Sequence, residues 1–142
     1  MDSKDFAILE RLKRNSRETI RSIAKNTGLK PSTVHKRISK LIKKGIIERF
    51  TVKLSDERVG ESLCVFLLVS GSLERYLTKE FLRNPKLKEV YGITGSYDIL
   101  LKLKFKDIKQ FNDFIIDFRE RFRDSITKTL TMVSTIKLKE EF

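Results

Sequence analysis

A chain of 142 residues with 31 Lys and Arg against 19 Asp and Glu carries a net charge of +12, and it has room for one medium domain or two small ones, each with a marginal core. Its single cysteine, Cys64, excludes an intramolecular disulfide, and the apolar run around it, Leu63 to Val69, predicts a small buried hydrophobe in a reducing compartment. That run is the longest apolar stretch and falls far short of the roughly 20 residues of a spanning helix; nothing reads as a signal peptide, so a cytoplasmic protein without membrane segments is expected.

Ser3 is placed to cap a first helix with apolar positions Phe6, Ile8, Leu9 and Leu12, running to about Arg14. Asn15 to Arg17 interrupt it. Thr19 is the next cap, and Ile20, Ile23 and Ala24 predict a short second helix ending near Gly28, which can take the left-handed conformation. Pro31 suits the first turn of a third helix, so the connection is tight. Lys30, just before it, offers no capping oxygen. From there Val34, Ile38, Leu41 and Ile42 form one apolar stripe. Three helices of this kind, the last two joined by a short turn, make a helix-turn-helix pattern.

Opposite that stripe fall Ser32, Lys36, Ser39 and Lys43, with Thr33 and Lys40 on one flank and His35 on the other. Cations and short hydrogen-bonding side chains suit a major groove, and they also suit an ordinary solvated helix face. The context separates the two readings. Residues 1–60 hold 16 Lys and Arg against 7 Asp and Glu, and residues 61–142 hold 15 against 12, so the basicity is concentrated where the helix-turn-helix lies. Ser32, Thr33, His35, Lys36 and Ser39 are therefore the candidates for base edges, and Lys40, Lys43, Lys44, Arg49 and Lys53 for phosphates. Arg37, on the stripe's far flank, is placed to pair internally with an acid.

After Gly45 the apolar period changes to two: Phe50, Val52 and Leu54 predict a linking strand, and Ser55 to Gly60 a hinge. The domains are expected at 1–47 (DNA-binding), 48–60 (linking strand and hinge) and 61–142. Both alternating sets are apolar from Ser62 to Val69, which predicts a strand in a sheet buried on both faces, the second by helices or by another subunit. Leu73, Leu77 and Phe81 predict a helix that Asn84 and Pro85 stop. Glu89–Ile93 and Ile99–Phe105 predict a hairpin about Thr94-Gly95-Ser96. Asp107 and Gln110 have capping-box spacing and open a helix with Ile108, Phe111, Ile115, Phe118 and Phe122 inward. A last strand from Ile126 to Leu138 sets Leu130, Met132 and Ile136 on one face and Thr127, Thr129, Thr131 and Thr135 on the other. The fold class is α+β, and the order strand, helix, strand, strand, helix, strand is the split ferredoxin-like unit. Both helices of that unit pack on one face, so the other needs a partner, of which a second copy is the simplest.

The whole chain resembles the Lrp/AsnC, or feast/famine, transcriptional regulators. Asp5, Ile8 and Leu9 resemble the opening helix, Ile23 to Ile47 the helix-turn-helix, and Gly95, Tyr97 and Asp98 the Gly-x-Tyr-Asp turn of the sensing domain. The resemblance implies a homodimer joined through the sensing sheets, assembling further into tetramers or octamers. It also implies a small effector, an amino acid or a relative of one, bound between sensing domains near Gly95, Tyr97 and Asp98 and near Thr129 and Thr131. Gly95 serves a hairpin angle as readily as a ligand, Tyr97 an interface, Asp98 the amides of its turn, and the threonines a strand. The expected partner is double-stranded DNA.

An enzymatic reading comes from siroheme decarboxylases, which resemble this family in fold but rely on His and Arg in the sensing domain. The only histidine here is His35, in the third helix. No Cys/His metal set, phosphate-binding glycine loop or triad is present in the sequence, so no catalysis, metal or cofactor is expected. A further alternative is a chromosome-organising protein of low sequence preference, which the charge fits equally well.

Overall fold

The computed structural model describes residues 1–141 as two compact units, one of Met1–Lys53, to which Glu141 also belongs, and one of Leu54–Glu140. The first contains α1 (Ser3–Arg14), α2 (Ile20–Thr27) and α3 (Pro31–Lys43). Ile8, Ile23, Ala24 and Val34 form its core, fringed by Leu12, Ile20, Leu29 and Ile38. Each helix end follows from its local residues. Asp2 caps α1 in place of the expected Ser3: its carboxylate accepts from the Asp5 N–H while the Asp5 carboxylate accepts from the Asp2 N–H, a capping box built from two acids. Ser3 is simply the first helical residue. Thr19 caps α2, and Gly28 ends it at φ 67° with its N–H on the Ala24 carbonyl. Pro31 opens α3 behind an uncapped Lys30, and the N–H groups of Ile46 and Ile47 both close onto the Leu41 carbonyl at its end. Phe6 and Ile42, expected inward, are about half exposed at 55% and 47%. In a three-helix unit this small each helix touches its neighbours along a narrow stripe, and Ile8, Val34 and Leu41 fill it.

The second unit holds β1 (Leu63–Gly71), α4 (Leu73–Tyr76), α5 (Lys79–Leu82), β2 (Leu87–Gly92), β3 (Ile99–Phe105), α6 (Ile108–Arg121) and β4 (Ile126–Val133). The sheet order is β2-β3-β1-β4 with every neighbour antiparallel, the arrangement of a ferredoxin-like unit. Val65, Leu67 and Val69 of β1 and Ile99, Leu101, Leu103 and Phe105 of β3 share one face. Phe111, Ile115 and Phe118 of α6 and Tyr76 and Phe81 of α4 and α5 pack on it. Phe118 is the hub, with the rings of Tyr76, Phe81, Phe114 and Phe122 at centroid distances of 5.4–6.1 Å.

Five expectations fail here for physical reasons. Residues 48–54 form no strand: Phe50, Val52 and Leu54 alternate as expected but are 51%, 68% and 59% exposed, and none of the four strands pairs with them. The helix expected from Leu73 to Phe81 is two single turns, because Leu77 leaves the helical region and Thr78 caps a new turn by accepting from the Phe81 N–H. Ile108 is the first residue of α6 and is 62% exposed; Phe114 packs against the core instead. The last strand ends at Val133 rather than Leu138, since β1 begins at Leu63 and the final bond runs from the Ser134 N–H to the Cys64 carbonyl. Cys64 is half-buried, on the sheet face the helices leave uncovered, together with half-buried Phe66 and Leu68.

Candidate nucleic-acid interface and sensing turn

Val34 and Leu41 are buried and fix which side of α3 turns inward. Ser32, His35, Lys36, Ser39, Lys40, Lys43 and Lys44 are all exposed as a consequence, and Thr33 is half-buried on the flank. Arg49 and Lys53 are exposed in the extended segment after α3. Beside α3 runs an open cleft of about 460 Å³ lined by Thr33, Lys36, Lys40 and Lys44 on one side and Asp2 and Asp5 on the other.

Arg37 bridges that cleft. Its Nη1 donates to both Asp2 carboxylate oxygens at 2.9 Å and to Asp5 at 2.7 Å, so the capping box of α1 and the far flank of α3 are one network. It is the internal pairing expected for Arg37, and its single charge offsets one of the two carboxylates beside the lysine row. The Arg37 guanidinium holds the Asp5 carboxyl below its ordinary range; for Asp2 the Asp5 amide contributes most and Arg37 next. A second such pair joins Arg11 to Glu18 at 2.7 Å, with Ser22 donating to the same carboxylate at 2.6 Å; the Glu18 side chain is only 7% exposed, and its pKa is lowered by Arg11 and then Ser22. Carboxylates with folded values below their unfolded ones stabilise above about pH 4, and that stabilisation is lost as pH falls through the folded values. Thermal melts from about pH 6 down to about pH 2 are expected to show an early loss of the N-terminal unit's stability. Arg37→Ala should flatten part of that dependence, and a variant melting with the wild-type pH profile would remove the pair from this account.

A further basic row was not visible from the α3 pattern. Arg21 and Lys25 lie one turn apart on the exposed side of α2. The signal that finds them is their spacing of four combined with the rule that the first helix of such a motif crosses the phosphate backbone.

In the second unit the hairpin between β2 and β3 turns through Gly95, at φ 111° and exposed. Asp98 fastens it: its carboxylate accepts from the Gly71 N–H at 3.0 Å, its own N–H donates to the Val69 carbonyl at 3.0 Å, and its carbonyl accepts from the Ile93 N–H at 2.9 Å. Ser70 donates to the Ser96 carbonyl. Tyr97 is half-buried with the Lys128 ammonium 4.5 Å from its ring centre. Nearby, the Tyr76 hydroxyl is buried with no hydrogen-bond partner among the described residues, and burial, then the Asp98 charge, pushes its pKa up to about 12.

The five candidate sensing residues do not share one surface. Thr129 and Thr131 pair with Val69 and Leu67, on the helix-covered face, and Thr129 accepts a hydrogen bond from Arg119 of α6 at 3.3 Å. Lys128 alternates with them along β4, and its ammonium lies over the ring of Tyr97 in the turn before β3. Lys128 is the link between the turn and β4. Among the described residues, no group of three His, Cys, Asp or Glu could hold a metal ion, and no helix is long and apolar enough to cross a membrane.

Comparison with known proteins bears on both regions. A family model for winged helix-turn-helix DNA-binding domains matches residues 1–48, and one for the Lrp/AsnC ligand binding domain matches residues 65–142. An HTH-type transcriptional regulator of Pyrococcus horikoshii is 34% identical over 146 residues, covering 99% of this chain and 97% of that protein. The structure of AsnC from E. coli superposes with a TM-score of 0.88 at 26% identity, covering all of this chain and 97% of that one. A transcriptional regulator of Neisseria meningitidis, solved as a complex with L-methionine, superposes at 0.91 with 24% identity over 99% of this chain and 94% of that one.

Proposed function

The chain belongs to the Lrp/AsnC family of transcriptional regulators, and from that membership we propose that it binds DNA sites through the outward side of α3 as a homodimer whose sensing domains respond to a small effector. One observation carries the reading: the buried aliphatic side of α3 leaves Ser32, His35, Lys36, Ser39 and Lys43 accessible together. In a dimer two such helices enter successive major grooves, with half-sites about one or more turns of roughly 10 bp apart. Ser32, Thr33, His35, Lys36 and Ser39 read base edges. Lys40, Lys43, Lys44, Arg49 and Lys53 hold phosphates, with Arg21 and Lys25 joining them from α2.

The uncovered sheet face supports self-association. Phe66 and Leu68 are half-buried there beside Leu130 and Met132, which are 44% and 42% exposed, and Tyr91 is 50% exposed. A second copy laid on this face removes that apolar area from water, and such dimers assemble further into tetramers or octamers. For the effector, the L-methionine carried by the Neisseria regulator supports an amino acid or a relative of one. Gly95, Tyr97, Asp98, Thr129 and Thr131 then form or support its site through Lys128. The reading is of a non-catalytic, cytoplasmic protein, and decarboxylation of added siroheme by the purified chain would overturn the first part of it.

Selection of bound sequences from random duplex DNA tests the main proposal. The expected result is an imperfect palindrome. Lys36→Ala should cost about 1–3 kcal/mol at the cognate site and relax preference at one position of each half-site. Enrichment of A/T content and narrow minor grooves without a palindrome would favour the chromosome-organising alternative.

A further inference from the structure

The end of α6 and the start of β4 enclose an open cleft of about 310 Å³, near the lower end of the range for small-molecule sites. Arg119, Arg123 and Lys128 line it together with Glu120, Thr127 and Thr129. We infer that this cleft binds a small dicarboxylate, acidic amino acids included, as the effector of the sensing domain. The inference rests on the reading that the domain senses a small molecule and names the chemistry of that molecule.

Arg119 and Arg123 line this cleft from the end of α6 and Lys128 borders it from β4, with Glu120 as the carboxylate of the lining. Arg119 donates only to the Thr129 hydroxyl, Lys128 sits over the Tyr97 ring, and Arg123 has no ion-pair partner among the described residues. The arginine between them does find acids: Arg121, two residues from each, reaches Glu80 at 3.5 Å and Asp117 at 4.0 Å. A helix C-terminus attracts cations, and the dipole accounts for Arg119 in the last turn. It does not account for Arg123, which follows the helix, or for Lys128 on β4.

The mutual repulsion of the two arginines is relieved when an anion enters. Two guanidinium groups supply charge-assisted donors for two carboxylates, and an arginine fork can hold one of them bidentately. The Thr129 hydroxyl accepts from Arg119 and keeps its own proton to donate. Thr127 donates to the Ser70 carbonyl at 3.1 Å and keeps its lone pairs. Glu120, exposed in the same lining, has no ion-pair partner among the described residues and can face the ammonium of an amino acid. Lys128 carries the event across the sheet. Its backbone lies between Thr127 and Thr129 while its ammonium sits over the Tyr97 ring, which couples the cleft to the turn that Asp98 fastens to β1.

Calorimetric titration of the full chain with L-glutamate, L-aspartate, succinate, L-methionine, L-lysine and inorganic phosphate tests this. The expected result is saturable binding of glutamate, aspartate or succinate in preference to the other three. Arg119→Gln and Arg123→Gln should each weaken it at least about tenfold while the melting point of the free protein is unchanged. Arg119→Glu combined with Arg123→Glu should abolish it and improve binding of L-lysine. Preference for methionine or lysine by the wild-type protein overturns the dicarboxylate assignment and leaves the sensing role standing. Phosphate binding as tight as that of the dicarboxylates overturns it too, by marking an unselective anion site. If none of the six binds, and a pool of amino acids also leaves DNA affinity unmoved, the sensing role itself falls.

Discussion

Replacing Lys40 and Lys43 together by glutamate should weaken binding to duplex DNA about a thousandfold at roughly 0.15 M salt and lower the salt dependence by about four units. Each phosphate that a lysine neutralises releases counterions and contributes about 0.9 to the slope of log affinity against log salt. Two such lysines per subunit make four in the proposed dimer, and a slope loss of this size amounts to about three decades between 0.15 M salt and the 1 M reference. Reversal of sign adds repulsion to the loss. Both side chains are exposed and outside the core of the first unit, so the variant should melt like the wild type. Fluorescence anisotropy over a salt series measures the effect. The neutral pair Lys40→Gln and Lys43→Gln should keep the preferred sequence while losing the slope, because phosphate contacts carry no sequence information. A changed consensus would place these lysines on bases, and an unchanged affinity would remove α3 from the interface.

Gly71→Ala should lower the stability of the sensing domain by at least about 3 kcal/mol, an expected fall in its melting point of roughly 15 °C for a domain of this size. Gly71 sits at φ 151°, and a Cβ there would lie 1.9 Å from the Ser125 carbonyl oxygen and 2.9 Å from the Ile126 Cα. Both atoms are backbone. The clash can be relieved only by separating the end of β1 from the start of β4, which costs the 2.7 Å bond from the Ser72 N–H to that same Ser125 oxygen. Gly71 also donates its N–H to Asp98, so the substitution loosens the sensing turn as well as the sheet. Gly28→Ala is the control: its φ of 67° also strains a side chain, but a Cβ there meets nothing within 4 Å. It should cost only about 1 kcal/mol. Calorimetric scans of the two variants compare them directly, and equal losses would show that steric contact at Gly71 is not the cause.

Legibility in the sequence followed the range of the interactions. The stripe of Val34 and Leu41, the left-handed Gly28, Pro31 at the head of α3 and the uncapped Lys30 all depend on residues within a turn or two of one another, and each is where the sequence places it. Asp2 displaced Ser3 as a cap by one position because Asp5 could answer it, a choice between adjacent oxygens that composition does not rank. The sensing turn was readable as a short motif, whereas the cleft beside it was not. Alternation in β4 separates Thr129 and Thr131 from Leu130 and Met132 but does not say which set meets the helices. The threonines do, opposite Val69 and Leu67, which is how Arg119 comes to touch Thr129.

The sequence alone therefore determined the helical units, the basic face, the strand order of an α+β sensing domain and the family, since periodicity, charge and short motifs are properties of neighbours along the chain. Tertiary structure decided the rest. It left residues 48–54 without a strand partner, broke the expected helix at Leu77, turned Arg37 onto Asp2 and Asp5, and brought Arg119, Arg123 and Lys128 together. A ladder bond, an ion pair across 32 residues and a cleft between a helix and a strand each need two segments to meet, and no local preference specifies which ones will.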